Sequence, residues 1–491
     1  MDILLILLTP ILASGWVLLN GRNPNRRDYP VLIFGAITFA QVIILTRHYW
    51  GQLSDGVVIN LFEITPGVGI SFRIDALSIV FALVASGLWI ITNLYAIGYM
   101  RGHHEHSQTR FFAFFPLAIS AALGIAFSGD MVTLFLFYEA LTFGTWPLVA
   151  HAETLEARFG ARKYMSILVG TSMLLLLPAI MITLILAGSV SFTQGGVVAG
   201  LSQTVIIGLL VLYAWGIGKA ALMPFHGWLP AAMVAPTPVS ALLHAVAVVK
   251  AGVFTMIRVV MYIFGTETLS QIPLASILTW AAIITLILAS IIALRQDNLK
   301  RRLAYSTIGQ LSYIILAASL LTPLALQGAA MHIVGHALGK ITLFFGAGAI
   351  LVASHKTNVS QLNGIGKRMP ISMAAFSIGI LSVIGLPPTV GFISKWQILQ
   401  GAAQAENSFA IGALVFSTLL NCGYFLPILW RVWFGQESSL AQEGRHAHII
   451  HDHGEAPWQC YSAMVVTAAL ALFFFIWPNG LYILTHMVVG G

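Results

Sequence analysis

Apolar runs of about 18–30 residues alternate with polar loops along the whole chain, and each run is long enough to cross a hydrocarbon core of ~30 Å. The pattern predicts an all-α membrane protein with about fourteen transmembrane helices, thirteen or fifteen remaining possible where connections are very short. The predicted spans cover roughly residues 3–20, 30–47, 72–99, 111–128, 130–150, 163–188, 203–235, 237–263, 274–294, 303–322, 324–353, 370–400, 408–434 and 460–486.

Two of these spans are too long for a simple crossing. Span 7, at residues 203–235, would extend ~50 Å as one helix, and Gly216 and Pro224 interrupt it. Span 12, at residues 370–400, contains the sequence GLPPTVG in mid-course. Such interruptions free backbone polar groups, which are tolerated at membrane depth only against protein or water. Both spans are therefore predicted to be broken helices that face the interior.

Interrupted spans in corresponding positions of two halves indicate an inverted-repeat transporter. The two proline breaks are separated by about the same length of chain as the starts of spans 4 and 9. With five spans in each unit, the second unit must enter the membrane from the opposite side. The predicted organisation is N-terminal helices 1–3 in residues 1–110, a first repeat (helices 4–8) in 111–263, a second repeat (helices 9–13) in 274–434, and a cytoplasmic loop with helix 14 in 435–491.

The composition agrees with this class, because 58% of the residues are hydrophobic and only 8% are charged. A soluble domain has roughly 25% charged residues. In a membrane protein the net charge of +7 influences orientation in the membrane, and it gives no reason to expect nucleic acid as a partner. Two cysteines, Cys422 and Cys460, form neither a disulfide framework nor a metal-binding pattern. The apolar N-terminus has no basic stretch before it and is interpreted as a retained first span.

Loop charges set the expected orientation. Basic residues concentrate in the loops after spans 1, 3, 5, 9, 11 and 13, whereas the alternate loops carry mainly acidic ones. Basic loops lie in the cytoplasm according to the positive-inside rule. Both termini are therefore expected outside the cytoplasm, in the cell membrane of a bacterium or archaeon.

Ionisable residues inside the spans are the candidate functional groups, because a charge at the bilayer centre is unfavourable by roughly 2.5–3.5 kcal/mol or more. Glu139 is the one acid deep in a span, and Lys219 lies at the centre of broken span 7. We expect a functional Glu139–Lys219 pair, in which movement of the lysine would alter the proton affinity of the carboxylate. The alternative is a carboxyl that is hydrogen-bonded to the hydroxyl of Tyr138 or Thr142.

Span 11 contains His332, His336 and Lys340 at every fourth position, which places them on one helical stripe about 6 Å apart. Neutral imidazole both donates and accepts, so the stripe suits a proton wire. A packed polar seam between helices is the alternative. Two histidines without a carboxylate or thiol in the span do not complete a metal site.

Span 8 carries His244 and Lys250 six residues apart, a spacing that does not require direct contact. His244 is as well explained by a buried hydrogen-bonding group as by a relay. Lys395 follows the break in span 12 and is expected to lie in the interior, although snorkelling toward the interface is possible.

Two further histidine groups fall in predicted cytoplasmic loops and are interpreted as solvated, although metal binding or pH sensing is conceivable. No P-loop, dinucleotide fingerprint or cysteine cluster is present, so no cofactor is expected and energy from redox chemistry or ATP would come from partner subunits. The histidines are His103, His104 and His106, and His446, His448, His451 and His453.

Three segments carry a family resemblance, namely GIGKAALMPFHGWLPAAMVAPTPVSALLHAVAVVKAG, GHALGKITLFFGAGAI and GLPPTVGFISKWQIL. They resemble the antiporter-like proteins of respiratory complex I and of Mrp-type sodium/proton antiporters, which have relatives in membrane-bound hydrogenases. The resemblance covers roughly residues 70–435 and implies fourteen helices, two inverted five-helix units and broken helices 7 and 12. It also implies a polar axis through the bundle, formed by Glu139, Lys219, His244, Lys250, His332, His336, Lys340 and Lys395.

The resemblance further implies a subunit of a hetero-oligomeric membrane complex that moves protons and a monovalent cation, with sodium expected. Length and the VVKAG segment are most similar to the D-type Mrp subunit, whereas APTPVSALLH is closer to the larger subunits. The alternative is a proton-pumping subunit of a complex I-like or hydrogenase assembly. A membrane enzyme acting on lipid or polysaccharide would need an acid or histidine cluster at the interface, whereas the buried groups here lie in mid-span.

Overall fold

The structure, a computed structural model, describes residues 2–65, 68–436 and 454–490, and most of these residues are helical. The predicted class, a helical membrane protein, is confirmed. The helices are α1 (Asp2–Leu19), α2 (Pro24–His48), α3 (Ala76–Gly102), α4 (Gln108–Phe127), α5 (Met131–Val149), α6 (Leu155–Ala187), α7 (Gln203–Gly216), α8 (Thr237–Phe264), α9 (Pro273–Leu294), α10 (Leu299–Ser319), α11 (Pro323–Ser354), α12 (Pro370–Ile384), α13 (Val390–Gln404), α14 (Ser408–Phe434), α15 (Trp458–Ile476) and α16 (Asn479–His486).

In the described part of the chain, 11 helices are long and apolar enough to span a membrane: α1–α6, α8, α9, α11, α14 and α15. Helices α7 and α12 are apolar but shorter. The shorter lengths of α7 and α12 arise because each is only the first part of an interrupted span. The loop that holds His446, His448, His451 and His453 lies outside the described residues.

A two-stranded antiparallel hairpin between α2 and α3 departs from the sequence prediction. Strands β1 (Val57–Thr65) and β2 (Val68–Ile74) pair with Val57 opposite Ile74. The hydropathy pattern predicts that span 3 starts at residue 72 and that the stretch before it is a loop. A short apolar run rich in β-branched residues cannot be assigned to strand or helix by hydropathy alone, which explains the error.

The hairpin is attached to the start of α5. The backbone N–H of Ser71 donates to Thr133 Oγ1 at 3.0 Å, and the Ser71 hydroxyl hydrogen-bonds to Asp130. Asp130 also caps α5 by accepting from the Thr133 backbone N–H at 2.7 Å. One end of the helix that carries Glu139 is thereby fixed.

Both predicted interruptions are present. Helix α7 ends at Gly216, and the chain then runs through short turns until α8 begins at Thr237. The turn that carries Lys219 packs its backbone against Gly252 of α8, where an added Cβ would collide with the Lys219 carbonyl carbon. Because Gly252 has no Cβ, the break can approach α8 closely.

The second interruption separates α12 from α13, with Gly385 at φ +89° just after α12. This left-handed conformation favours glycine. Helices α8 and α11 lie between the two breaks and form the centre of the bundle. In an apolar stretch of 18 residues taken from each helix, 94% of the residues are buried in α8 and 83% in α11, against 33% in α2 and in α15.

A buried ion pair joins α3 to α8 near the hairpin. Asp75 caps α3 by accepting from the Ser78 backbone N–H, and it accepts from Arg73 Nε at 2.8 Å and Arg258 Nη2 at 2.8 Å. The guanidinium of Arg258 also packs against the rings of Phe254 and two further aromatic residues, Phe192 and Tyr262. Arg258 has no exposed surface.

We expect Arg258→Ala to lower the free energy of unfolding by about 1.5–3 kcal/mol, because the buried Asp75 carboxylate loses its charged hydrogen bonds to Arg258 and keeps only those to Arg73 and Ser78. The measurement is unfolding of the detergent-solubilised chain by titration with a denaturing detergent. Arg301→Ala is the matched control, since Arg301 forms only an exposed pair with Glu156 at 4.0 Å, and surface pairs contribute about 0–1 kcal/mol. Equal losses in the two variants would contradict the structural role given to Arg258.

Candidate functional site

Lys219 lies at the first break and is wholly buried against α5. Its ammonium donates to the Tyr138 carbonyl oxygen at 2.9 Å and to Thr142 Oγ1 at 2.5 Å. The Lys219 backbone N–H donates to the Tyr138 hydroxyl at 3.0 Å. The ammonium also lies 3.2 Å from the centroid of the Tyr138 ring, a cation–π arrangement. These contacts hold the lysine without a carboxylate.

Glu139 lies between these two partners in sequence, yet it makes no ion pair with Lys219. Glu139 is 8% exposed, its two carboxyl oxygens are buried, and neither oxygen has a hydrogen-bond partner among the described residues. The alternative of a bond to Tyr138 or Thr142 is also absent, because both hydroxyls bind Lys219 instead. Lys219 remains close enough for a direct electrostatic interaction with Glu139.

A second group of polar contacts joins α8, α11 and α13. Lys250 Nζ lies 2.7 Å from His336 Nδ1, and the His336 ring stacks on the His332 ring with 6.0 Å between centroids. His332 Nδ1 lies 2.9 Å from the hydroxyl of Ser394, the residue before Lys395. We call this series the histidine track: Lys250, His336, His332, Ser394 and Lys395.

Gln310 of α10 fixes the proton arrangement of His332. Its Oε1 lies 3.2 Å from His332 Nε2, and a carbonyl oxygen can only accept, so this ring nitrogen donates. The other ring nitrogen faces the Ser394 hydroxyl, which also lies 3.1 Å from the Gly391 carbonyl oxygen. If the serine proton points to His332, the ring is neutral. If it points to Gly391, Nδ1 must donate and the ring is cationic.

Lys395 is the last residue of the histidine track and lies at the second break. Its ammonium donates to the Val383 and Ile384 carbonyl oxygens at 3.0 and 2.9 Å, which are acceptors at the C-terminal end of α12. A cation is favourable there because the helix dipole is negative at that end. The side chain is half-buried and borders a cavity of about 230 Å³. The ammonium thus faces the break.

The predicted stripe of three residues on α11 divides into two parts. His332 and His336 stack on each other, but Lys340 donates to the Leu303 carbonyl oxygen of α10 at 3.1 Å. The partner of His336 is therefore Lys250 of another helix. Periodicity identified the shared stripe but could not show which neighbouring helix each side chain contacts.

His244 is buried in a π-helical turn of α8, and neither ring nitrogen has a hydrogen-bond partner among the described residues. Its ring lies 4.7 Å from that of Phe344. Lys340 is near enough to interact electrostatically with His244 and His336, and Lys250 with His336. His244 therefore lies beside the track without a bond to it.

The histidine track and the Lys219 site are separate. The Lys219 backbone packs on Gly252, two residues from Lys250, but the ammonium points away toward α5. Sequence reasoning missed Gln310 and Ser394, since single polar residues in apolar helices carry no spacing signal. Their polarity within predicted spans was the only available indication.

These observations define a class: a multi-pass helical membrane protein with two broken helices and a buried series of ionisable side chains between them. The family described as "NADH:quinone oxidoreductase/Mrp antiporter, TM" matches residues 128–421. The description "NADH-Ubiquinone oxidoreductase (complex I), chain 5 N-terminus" matches residues 65–112. The chain belongs to this NADH:quinone oxidoreductase/Mrp antiporter family, and the resemblance inferred from the motifs is confirmed.

Curated relatives come from both branches of the family. The chain is 33% identical to "NADH-quinone oxidoreductase subunit N" of Desulforudis audaxviator over 85% of this chain and 81% of that protein. It is 30% identical to "NADH-quinone oxidoreductase subunit L" of Mycobacterium tuberculosis over 96% of this chain and 74% of that protein. It is also 30% identical to "Na(+)/H(+) antiporter subunit A1" of Staphylococcus haemolyticus over 94% of this chain, but it spans only 58% of that protein.

Solved structures share the fold. A chain of the Mrp complex from Dietzia sp. superposes with a TM-score of 0.85 at 21% identity, over 99% of this chain and 97% of the other. A chain of an archaeal membrane-bound sulfane sulfur reductase superposes with a TM-score of 0.86 at 24% identity, over 99% and 96%.

We expect His336→Leu to lower the free energy of unfolding by about 1–3 kcal/mol, because it leaves the Lys250 ammonium buried without an acceptor. His336→Asn, which retains an acceptor, should recover part of the loss. His244→Leu is the control, since its ring nitrogens have no partner to lose. Denaturing-detergent titration measures all three, and an equal loss in His244→Leu would mean that His244 also has a bonded partner.

Proposed function

We propose that the chain is a proton- and monovalent-cation-translocating subunit of a multisubunit Na⁺/H⁺ antiporter of the Mrp type. In this role it moves protons along its buried glutamate, lysine and histidine residues, with other membrane subunits in the same complex. The observation that carries the proposal is the histidine track. In it Lys250 of α8 contacts His336 of α11, and the His336 ring stacks on the His332 ring.

The chemistry of the track supports proton transfer. If Lys250 donates to His336 Nδ1, a neutral His336 carries its own proton at Nε2, which has no partner among the described residues. A proton delivered to Nδ1 would therefore be balanced by release from Nε2. At His332, reorientation of the Ser394 hydroxyl would accommodate either the neutral or the cationic ring.

Glu139 and Lys219 form the control element in this proposal. The ammonium is held by a carbonyl, a hydroxyl and an aromatic face, so it can exchange these weaker contacts for the carboxylate. A cation that approaches Glu139 favours its charged form, and withdrawal favours its protonated form. Movement at the first break would thereby couple the position of Lys219 to proton release.

The orientation and the repeats belong to the same proposal. The ends of α3 and α5 and the start of α4, with their basic loops, would face the cytoplasm, and both termini would lie outside it. Residues 111–263 and 274–434 would form the two inverted units, with Lys219 and Lys395 at corresponding breaks. Resemblance to the D-type subunit supports a place among other Mrp subunits.

A second candidate is a proton-pumping membrane subunit of a complex I-like quinone oxidoreductase or a membrane-bound hydrogenase. The favouring observation is that the relatives named as oxidoreductase subunits N and L match this chain over 81% and 74% of their own length. In that case the same track would serve an enzyme whose redox centres are in partner subunits.

We expect Lys219→Ala and Glu139→Ala each to reduce cation-dependent proton transport by roughly tenfold or more, which corresponds to about 1.4 kcal/mol. Transport is measured by the change in internal pH after sodium or potassium is added to inverted membrane vesicles containing the intact complex. Lys367→Ala and Glu267→Gln are the matched controls, because both side chains are exposed. Normal coupled transport in both interior variants would contradict the roles of Lys219 and Glu139.

Purification of the intact complex in mild detergent distinguishes the two candidates. The antiporter proposal predicts co-purifying membrane subunits without iron–sulfur or flavin absorbance. It also predicts proton movement driven by an imposed sodium gradient alone. Chromophore-bearing partners, together with proton movement that requires an electron donor, would support the oxidoreductase candidate instead.

A further inference from the structure

A compact group of histidine and carboxylate side chains lies at the end of the bundle opposite the hairpin. Glu105 and His106 are in the turn between α3 and α4, and His151 follows the last residue of α5 by two positions. The functional proposal does not use these residues. From sequence, the turn with His103, His104 and His106 is interpreted as a solvated loop, with metal binding or pH sensing as the alternatives. His151 is distant in sequence and was not among the candidate residues.

The three side chains are arranged for chelation. One ligand atom from each lies within 4.8 Å of the other two, and the rings of His106 and His151 are 5.2 Å apart between centroids. Oε2 of Glu105 lies 4.0 Å from His151 Nε2, which is too long for a hydrogen bond. A tetrahedral ion with ligand atoms at about 2.0–2.2 Å would draw these atoms closer together. His106 is exposed and can move inward, and Glu105 and His151 would also have to approach each other.

His151 provides an independent indication of a missing ligand. Its side chain has no exposed surface, and no hydrogen bond to either ring nitrogen has standard geometry, although the His106 backbone lies nearby. A buried polar group without a well-placed partner is unfavourable. Neutral imidazole is the form that binds metals.

Neighbouring groups support the carboxylate. His103 Nδ1 lies 3.2 Å from Glu105 Oε1, a contact of the kind that orients a ligating carboxylate. Two positive charges lie near the cluster. Lys300 interacts with Glu105 but donates its hydrogen bond to the Ala235 carbonyl oxygen at 2.6 Å. Arg110 is held by the Glu153 carboxylate and the His151 carbonyl oxygen. The guanidinium is thereby directed away from the ring nitrogens.

We propose that Glu105, His106 and His151 form a binding site for a divalent transition metal, with Zn²⁺ as the best fit. Two imidazoles and one carboxylate are a ligand set that Zn²⁺ takes, with water as the fourth ligand. The site would join the α3–α4 turn to the end of α5, the helix that carries Glu139 in its middle. Metal binding would thus fix the second end of a helix whose first end is held by Asp130.

The test uses the full-length chain in detergent, purified without a histidine tag. His446, His448, His451 and His453 are replaced by alanine in every sample, so that the loop outside the described residues cannot contribute. Co²⁺ is titrated and its visible absorption spectrum reports coordination number and ligand type. Zn²⁺ is then added to displace it. The variants are His106→Ala and Glu105→Gln, with His104→Asn as control.

The control is closely matched, because His104 is exposed in the same turn but outside the cluster, and its φ of +52° is one that asparagine adopts readily. We expect one equivalent of Co²⁺ with a four-coordinate spectrum, displaced by Zn²⁺, and a tenfold or greater loss of affinity in His106→Ala and Glu105→Gln. The control should bind normally. Absence of binding, binding unchanged by both variants, or an equal loss in His104→Asn would each overturn the proposal.

Discussion

The structure depends on one constraint: an ionisable group at membrane depth must find its partners inside the protein. Lys219, Lys250 and Lys340 are fully buried, and each ammonium meets a carbonyl oxygen, a hydroxyl or an imidazole nitrogen. None of these three lysines relies on a carboxylate. Neutral acceptors hold a cation less tightly than a carboxylate does, so the interior contains charges that are satisfied yet able to change partners.

The two broken helices provide many of these hydrogen-bonding contacts. At the second break, the end of α12 presents free carbonyl oxygens to Lys395, so the backbone itself becomes the acceptor. At the first break, the turn brings Lys219 against α5 while its backbone stays on Gly252 of α8. The breaks therefore act as polar sites inside apolar helices, and α8 and α11 connect them. The hairpin and the Asp130 cap fix one end of α5, the helix that carries Glu139.

Hydropathy alone identified the membrane class, the two interruptions and the ionisable residues of the candidate site, because long apolar runs and proline or glycine breaks reflect what the bilayer requires. It did not single out the buried Asp75–Arg258 pair. The hairpin was missed, since its apolar residues have no periodicity that separates a strand from a helix end. The Glu139–Lys219 pair was expected from opposite charge. In the structure Tyr138 and Thr142 hold the lysine instead, a geometry that depends on the direction in which a flexible side chain extends.

The sequence by itself thus determined the membrane spans and many of the ionisable groups inside them, since the energy of placing a residue in lipid is a local property of that residue and its neighbours. Only the tertiary structure decided which of these residues are hydrogen-bonding partners: Lys250 with His336, Lys340 with α10, and Gln310 and Ser394 with His332. It also brought His151 to Glu105 and His106 from another part of the chain. Such pairings depend on the packing of distant helices, which no local pattern encodes.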